Sequence, residues 1–127
     1  MKAIYLFFIY SLLIFNLFSQ IKIKESGGWL ETAYATWLPV ENATSYEVYY
    51  SGEGIENKKI DDPLIRSYGS YLRADIPGLK AGTYTIKIVP VIQQTANPAL
   101  ESSTEPLQVK AHNREGFAFI NGLLIIR

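Results

Sequence analysis

Four stretches of the chain alternate between outward polar and inward apolar or small residues. Thr32 to Trp37 puts Ala33, Ala35 and Trp37 on one face, and Ser45 to Ser51 puts Tyr46, Val48 and Tyr50 together with Glu47 and Tyr49 opposite. Tyr71 to Ile76 sends Leu72, Ala74 and Ile76 one way and Tyr71, Arg73 and Asp75 the other. A longer run opens Tyr84, Ile86, Ile88 and continues to about Ile92. A period of two marks a half-buried strand, because successive side chains leave opposite faces of a pleated backbone. Lys58 to Ile60 offers a short edge segment and Pro106 to Ala111 a last strand, whereas Leu64 to Tyr68 fits neither period. Ile21 to Lys24 reads as a short first strand or as a tether, closed by Ser26-Gly27-Gly28. Turn residues fall between the runs, at Leu38-Pro39, Glu41 to Thr44, Gly52-Glu53-Gly54 and Asp61-Asp62-Pro63, with a long polar loop from Gln93 to Ser103. About seven short strands, with a turn every ~8–12 residues, predict an all-β sandwich whose core centres on Trp37.

The segment Leu79-Lys80-Ala81-Gly82-Thr83-Tyr84 sharpens that expectation. A Leu, a turn with Gly and a Tyr opening a strand is the arrangement of a tyrosine corner, in which the phenol reaches back to backbone where the chain passes between sheets.

The first residues follow a different rule. Met1-Lys2 precedes 16 almost wholly apolar residues, Ala3 to Phe18, and then Ser19-Gln20. A positive start, a short apolar run and a small residue at the cut describe a secretory signal peptide, with cleavage expected after Ser19. The run is shorter than the roughly 20 residues of a spanning helix. A secreted protein, periplasmic or extracellular, with no stable membrane span is therefore expected. Export permits disulfides, yet the chain has no Cys, so the core alone must hold it and thiolate chemistry is excluded. Beyond Ser19 there are 11 basic and 12 acidic residues, a formal net of −1. With no basic stripe, nucleic acid is not an expected partner.

The order Trp37, Tyr46-x-Val48, Leu79-x4-Tyr84-x-Ile86-x-Ile88 resembles a fibronectin type III domain, a relative of the immunoglobulin-like sandwich. Longer strings narrow the resemblance: Gly27-Gly28-Trp29-Leu30-Glu31-Thr32-Ala33-Tyr34, Lys59-Ile60-Asp61-Asp62-Pro63-Leu64-Ile65-Arg66, Tyr71-Leu72-Arg73-Ala74-Asp75, and Val109-Lys110-Ala111-His112-Asn113-Arg114-Glu115-Gly116-Phe117-Ala118-Phe119. These look like the non-catalytic, fibronectin-like module at the N-terminus of certain secreted bacterial pectate lyases. The resemblance implies a seven-stranded sandwich over residues 31–112, after a signal peptide at 1–19 and an N-terminal tether at 20–30. It also implies an exit linker from residue 113 leading to a β-helix lyase domain. Here the chain continues Ile120-Asn121-Gly122-Leu123-Leu124-Ile125-Ile126-Arg127, an apolar ending that departs from the polar linker of that family. A truncated or frameshifted lyase gene, or an incomplete gene model, is the expectation, with 113–127 the truncated exit linker. Coding sequence downstream of Arg127 decides it.

The lyases of that family cleave polygalacturonate by β-elimination, using calcium-binding acidic groups and an arginine base carried on the β-helix. None of those groups transfers to this chain. No catalytic residue, cofactor or metal is expected, and the protein is not expected to be an enzyme. Asp61-Asp62 could offer carboxylates to calcium, but such a site takes six or more oxygens, and acidic residues before Pro63 also suit a turn. His112, the only histidine, has Glu115 as its sole neighbouring partner for acid–base work. Ser67, Ser70, Ser102 and Ser103 lack a nucleophile-elbow pattern, and Gly52-x-Gly54 lacks the rest of a phosphate loop. Surface aromatics are the remaining candidates. Trp29, Tyr34, Tyr49 and Tyr71 fall outside the expected core, where they can stack on sugar rings, contact a lyase domain, or simply pack across strands. The expected partners are a pectin-type polysaccharide or a lyase catalytic domain.

Overall fold

The computed structural model describes residues 20–111. Its strands are β1 (Ile23–Trp29), β2 (Thr32–Trp37), β3 (Ala43–Gly52), β4 (Ile55–Lys59), β5 (Ile65–Ser67), β6 (Leu72–Pro77), β7 (Gly82–Ile92), β8 (Thr95–Ala96), β9 (Ser102–Ser103) and β10 (Leu107–Val109). They form two sheets, one ordered β1-β2-β6-β5 and one ordered β10-β7-β3-β4, with β8 and β9 also pairing with β7. All of these strand pairs are antiparallel. The protein is thus an all-β sandwich, as the alternation predicts.

The alternating sets meet in the middle. Ala33, Ala35, Trp37, Val48, Ala74, Ile86 and Ile88 are fully buried, and Tyr46, Tyr50, Ile76 and Tyr84 nearly so. The Trp37 ring meets Tyr46 edge-on, centroids 5.5 Å apart at 76°, the arrangement favoured by aromatic quadrupoles. The Tyr46 hydroxyl accepts a 2.8 Å hydrogen bond from the buried Val40 N–H. At the tyrosine corner, the Tyr84 hydroxyl donates to the Lys80 carbonyl at 2.9 Å, and Leu79 is buried beside it. Burial pushes the Tyr84 phenol pKa up.

Three stretches, expected as a tether, an ambiguous segment and a loop, carry the added strands: β1, β5, and β8 with β9. Residues 20–30, expected as a tether, contain the seven-residue strand β1, paired with β2 from Ile23↔Trp37 to Trp29↔Thr32. Gly27 and Gly28, read as punctuation, are what lets it pair. A Cβ on Gly27 would crowd the Tyr34 ring at 2.9 Å, and one on Gly28 would overlap the backbone carbonyl of Gln108 in β10. The ambiguous Leu64 to Tyr68 resolves into a 3-10 turn over Asp62–Leu64 followed by the short edge strand β5. Within the loop from Gln93 to Ser103, Gln93 and Gln94 adopt φ of 54° and 64°, and this reversal folds β8 back on β7.

The chain crosses the sandwich lengthwise. Ile21 donates to the Leu100 carbonyl at 2.9 Å at one pole. At the other, Lys110 donates to the Trp29 carbonyl at 3.0 Å and Glu31 to the Lys110 carbonyl at 2.8 Å, and Leu30 and Lys110 form a parallel bridge. The first and last described strands therefore run the same way and end together, next to the tyrosine corner, where Leu79 donates to the Glu31 carbonyl at 3.0 Å.

Candidate functional site

Antiparallel register fixes which side chains share the outer face of the β1-β2-β6-β5 sheet. Trp29 pairs with Thr32 and Thr32 with Pro77, Gly27 with Tyr34 and Tyr34 with Asp75, and Thr36 with Arg73. Trp29, Thr32, Tyr34, Arg73 and Asp75 line one shallow groove on that face. The structure therefore brings together two of the four sequence candidates, Trp29 and Tyr34. Tyr71 lies just before β6, and Tyr49 stands on β3 in the other sheet.

The rings differ in how much surface they leave free. Trp29 is 69% exposed, the most open large apolar side chain of the described residues. Tyr34 packs over Gly27 and carries the Arg73 guanidinium 4.4 Å from its centroid, a cation–π contact. Tyr71 stacks on Tyr68 at 5.1 Å and 18°, with the Lys24 ammonium 4.8 Å from its centroid. Tyr49 is committed as well. Its hydroxyl donates to Glu47 Oε1 at 2.6 Å, Lys87 lies 5.0 Å from its ring centroid, and Lys59 reaches Glu47 Oε2 at 3.5 Å. That hydrogen bond holds the Glu47 carboxyl below its ordinary value and lifts the Tyr49 phenol. Tyr49 and Tyr71 are thus engaged in cross-strand packing, whereas Trp29 keeps most of its surface.

Arg73 and Asp75, two residues apart on β6, were not singled out as site residues, although the alternation puts both on the outward face with Tyr71. Arg73 Nε donates to both Asp75 oxygens, at 3.2 and 3.0 Å, and Nη2 donates to Oδ1 at 3.0 Å. The pairing raises the arginine pKa further. It is a two-nitrogen fork of the kind that fixes geometry as well as energy.

Asp61 and Asp62 are exposed at the 3-10 turn, where Leu64 donates to the Asp61 carbonyl at 3.0 Å. Among the described residues no three His, Cys, Asp or Glu side chains converge as a metal site. Ser102 donates its hydroxyl to the Ile21 carbonyl at 2.6 Å, and Ser67 accepts from the Gly69 N–H at 3.4 Å. His112 and Glu115 lie outside the described residues.

Fold and face together define a two-sheet all-β sandwich with one open aromatic groove near a pole. Among solved structures, the chain is similar to a β-1,2-glucanase from Parabacteroides distasonis, with a TM-score of 0.50 and 16% identity over 80% of this chain. The match takes in 14% of the glucanase. It is also similar to CopC from Methylosinus trichosporium OB3b, with a TM-score of 0.46 and 12% identity over 74% of this chain and 97% of that one. At these identities the likeness concerns the fold alone. No protein-family model matches the sequence, and no curated protein matches it.

Proposed function

We propose that this protein is a secreted, non-catalytic accessory module that spaces a pectate lyase-type catalytic domain. The observation that carries the reading is the lengthwise path of the chain. It enters the sandwich beside Leu100 and leaves beside Trp29 and Glu31, at the opposite pole. Domain termini often lie close together, which suits insertion, whereas ends at opposite poles suit an in-line spacer. β1 alone, seven residues at about 3.3 Å each, separates the poles by roughly 23 Å. The fold likeness to a small part of a much larger glycan-cleaving enzyme agrees with such a role.

The chain has no Cys, so single cysteines placed at Gln20 and Ala111, both exposed, can carry a donor and acceptor dye. An end-to-end distance of roughly 25–30 Å, as strand rise implies, is expected. A distance below about 15 Å, typical of adjoining termini, sinks the spacer reading. With polygalacturonate, the purified chain should produce no ultraviolet absorbance from unsaturated uronates, and a steady rise would make it an enzyme. A second reading, a stand-alone glycan-binding module, is favoured by the exposure of Trp29 in a groove that also holds Thr32, Arg73 and Asp75.

A further inference from the structure

The groove beside Trp29 has a chemistry that narrows its ligand. We infer that Trp29, Thr32, Arg73 and Asp75 form a binding site for a neutral pyranose glycan that presents a vicinal diol. The inference rests on the glycan-binding reading, not on the spacer reading. One wall is the indole of Trp29, 69% exposed. The π face of an indole carries partial negative charge, and the C–H bonds on one side of a pyranose ring carry partial positive charge, so the two stack. The other wall is polar. Arg73 spends Nε and Nη2 on Asp75, which leaves the Nη1 donors and spare carboxylate lone pairs in a fixed plane. Two adjacent sugar hydroxyls can each donate to the carboxylate and accept from the guanidinium, and the Thr32 hydroxyl adds a third polar group in the same groove.

Charge selects between ligand classes. Among the described residues, the cation and the anion lining the groove, Arg73 and Asp75, neutralise each other, so this lining offers no net positive charge to a uronate. A uronate carboxylate would also approach Asp75 with like charge. A purely apolar partner, such as an aliphatic protein surface or a lipid chain, would strip water from the ion pair without replacing its hydrogen bonds. A neutral sugar satisfies both walls, its C–H face on Trp29 and its hydroxyl edge on the pair. Because the Trp29 carbonyl bonds Lys110, the site sits at the pole where the last described strand ends.

Affinity electrophoresis in gels containing mixed-linkage β-glucan, glucomannan or polygalacturonate tests this. At least one neutral polysaccharide should retard the protein more than polygalacturonate does. Titration with the same neutral polysaccharide should change tryptophan fluorescence through Trp29, since Trp37, the only other tryptophan, is fully buried. Trp29→Ala should abolish the retardation. Asp75→Asn should weaken it by about tenfold, the effect of disturbing one charge-assisted hydrogen-bonded pair. Tyr49→Ala, on the other sheet, should leave it unchanged. Trp29 is exposed, so its replacement should keep the fold, as unfolding curves can verify. Retardation by no neutral polysaccharide, undiminished retardation of Trp29→Ala, or preference for polygalacturonate each overturns the inference. So does sugar-independent dimerisation through Trp29 in sedimentation. None of these outcomes alters the end-to-end distance, so the spacer reading stands or falls separately.

Discussion

Tyr84 shows how one polar atom can fix a corner. Its ring is 2% exposed and lies 6.3 Å from Tyr50, and its hydroxyl donates to the Lys80 carbonyl. Tyr84→Phe keeps the ring and removes this hydrogen bond, so a loss of about 1 kcal/mol is expected in denaturant unfolding. The same burial gives a pH signature. The folded phenol pKa is raised above its unfolded value, so its contribution is complete below about pH 10 and disappears as pH rises through the folded value. Stability measured between neutral and strongly alkaline pH should fall in wild type and fall less in Tyr84→Phe. Trp37 is a packing residue instead. Fully buried against Tyr46, it should cost about 3–5 kcal/mol when cut to Ala. Its indole N–H has no hydrogen-bond partner among the described residues, so Trp37→Phe should cost markedly less.

At the level of elements, two joints close the sandwich. β1 lies against β10 because Gly28 has no side chain where the Gln108 carbonyl passes. Gly28→Ala must push the strands apart, and a destabilisation of about 1–3 kcal/mol, the range for overpacking, is expected from thermal unfolding. The second joint bridges the break between β9 and β10. There Thr104, itself buried, donates its backbone N–H to the Ile86 carbonyl at 2.8 Å and accepts the Ile86 N–H on Oγ1 at 3.0 Å. One side chain thus completes the edge ladder of β7 where strand pairing lapses. Thr104→Val has the same shape but leaves the Ile86 N–H without its acceptor, an expected loss of about 1–3 kcal/mol. Faster hydrogen exchange at Ile86 than at Ile88 in that variant would locate the effect.

For the whole molecule, the pairings are mostly distant in sequence. β2 pairs with β6, β3 with β7, and β1 is joined to β10 only when nearly the entire sandwich has been traversed. Such topology makes loop closure costly before contacts form, so refolding on the order of milliseconds to seconds is expected from stopped-flow fluorescence. Microsecond refolding would contradict this topology. Glu47 with Tyr49 and Lys59, and Arg73 with Asp75, hold one another in place around the strands.

The sequence by itself determined the all-β class, the core faces and the tyrosine corner, because period-two alternation and a Leu-x4-Tyr turn are local and need no partner to be read. It also put Arg73 and Asp75 outward by the same alternation. Only the tertiary structure decided that residues 23–29 are a strand, since Gly-Gly weakens a strand locally and is favoured here by the nearness of Tyr34 and Gln108. The Gln93-Gln94 reversal was equally hidden, because such turns ordinarily signal themselves with Asn or Gly. Among the four aromatics, composition treats Trp29, Tyr34, Tyr49 and Tyr71 alike. What separates them is the neighbour set by register. Arg73 lies on Tyr34, Glu47 bonds Tyr49 and Tyr68 stacks on Tyr71, while most of Trp29 stays open beside an ion pair from a strand more than forty residues away.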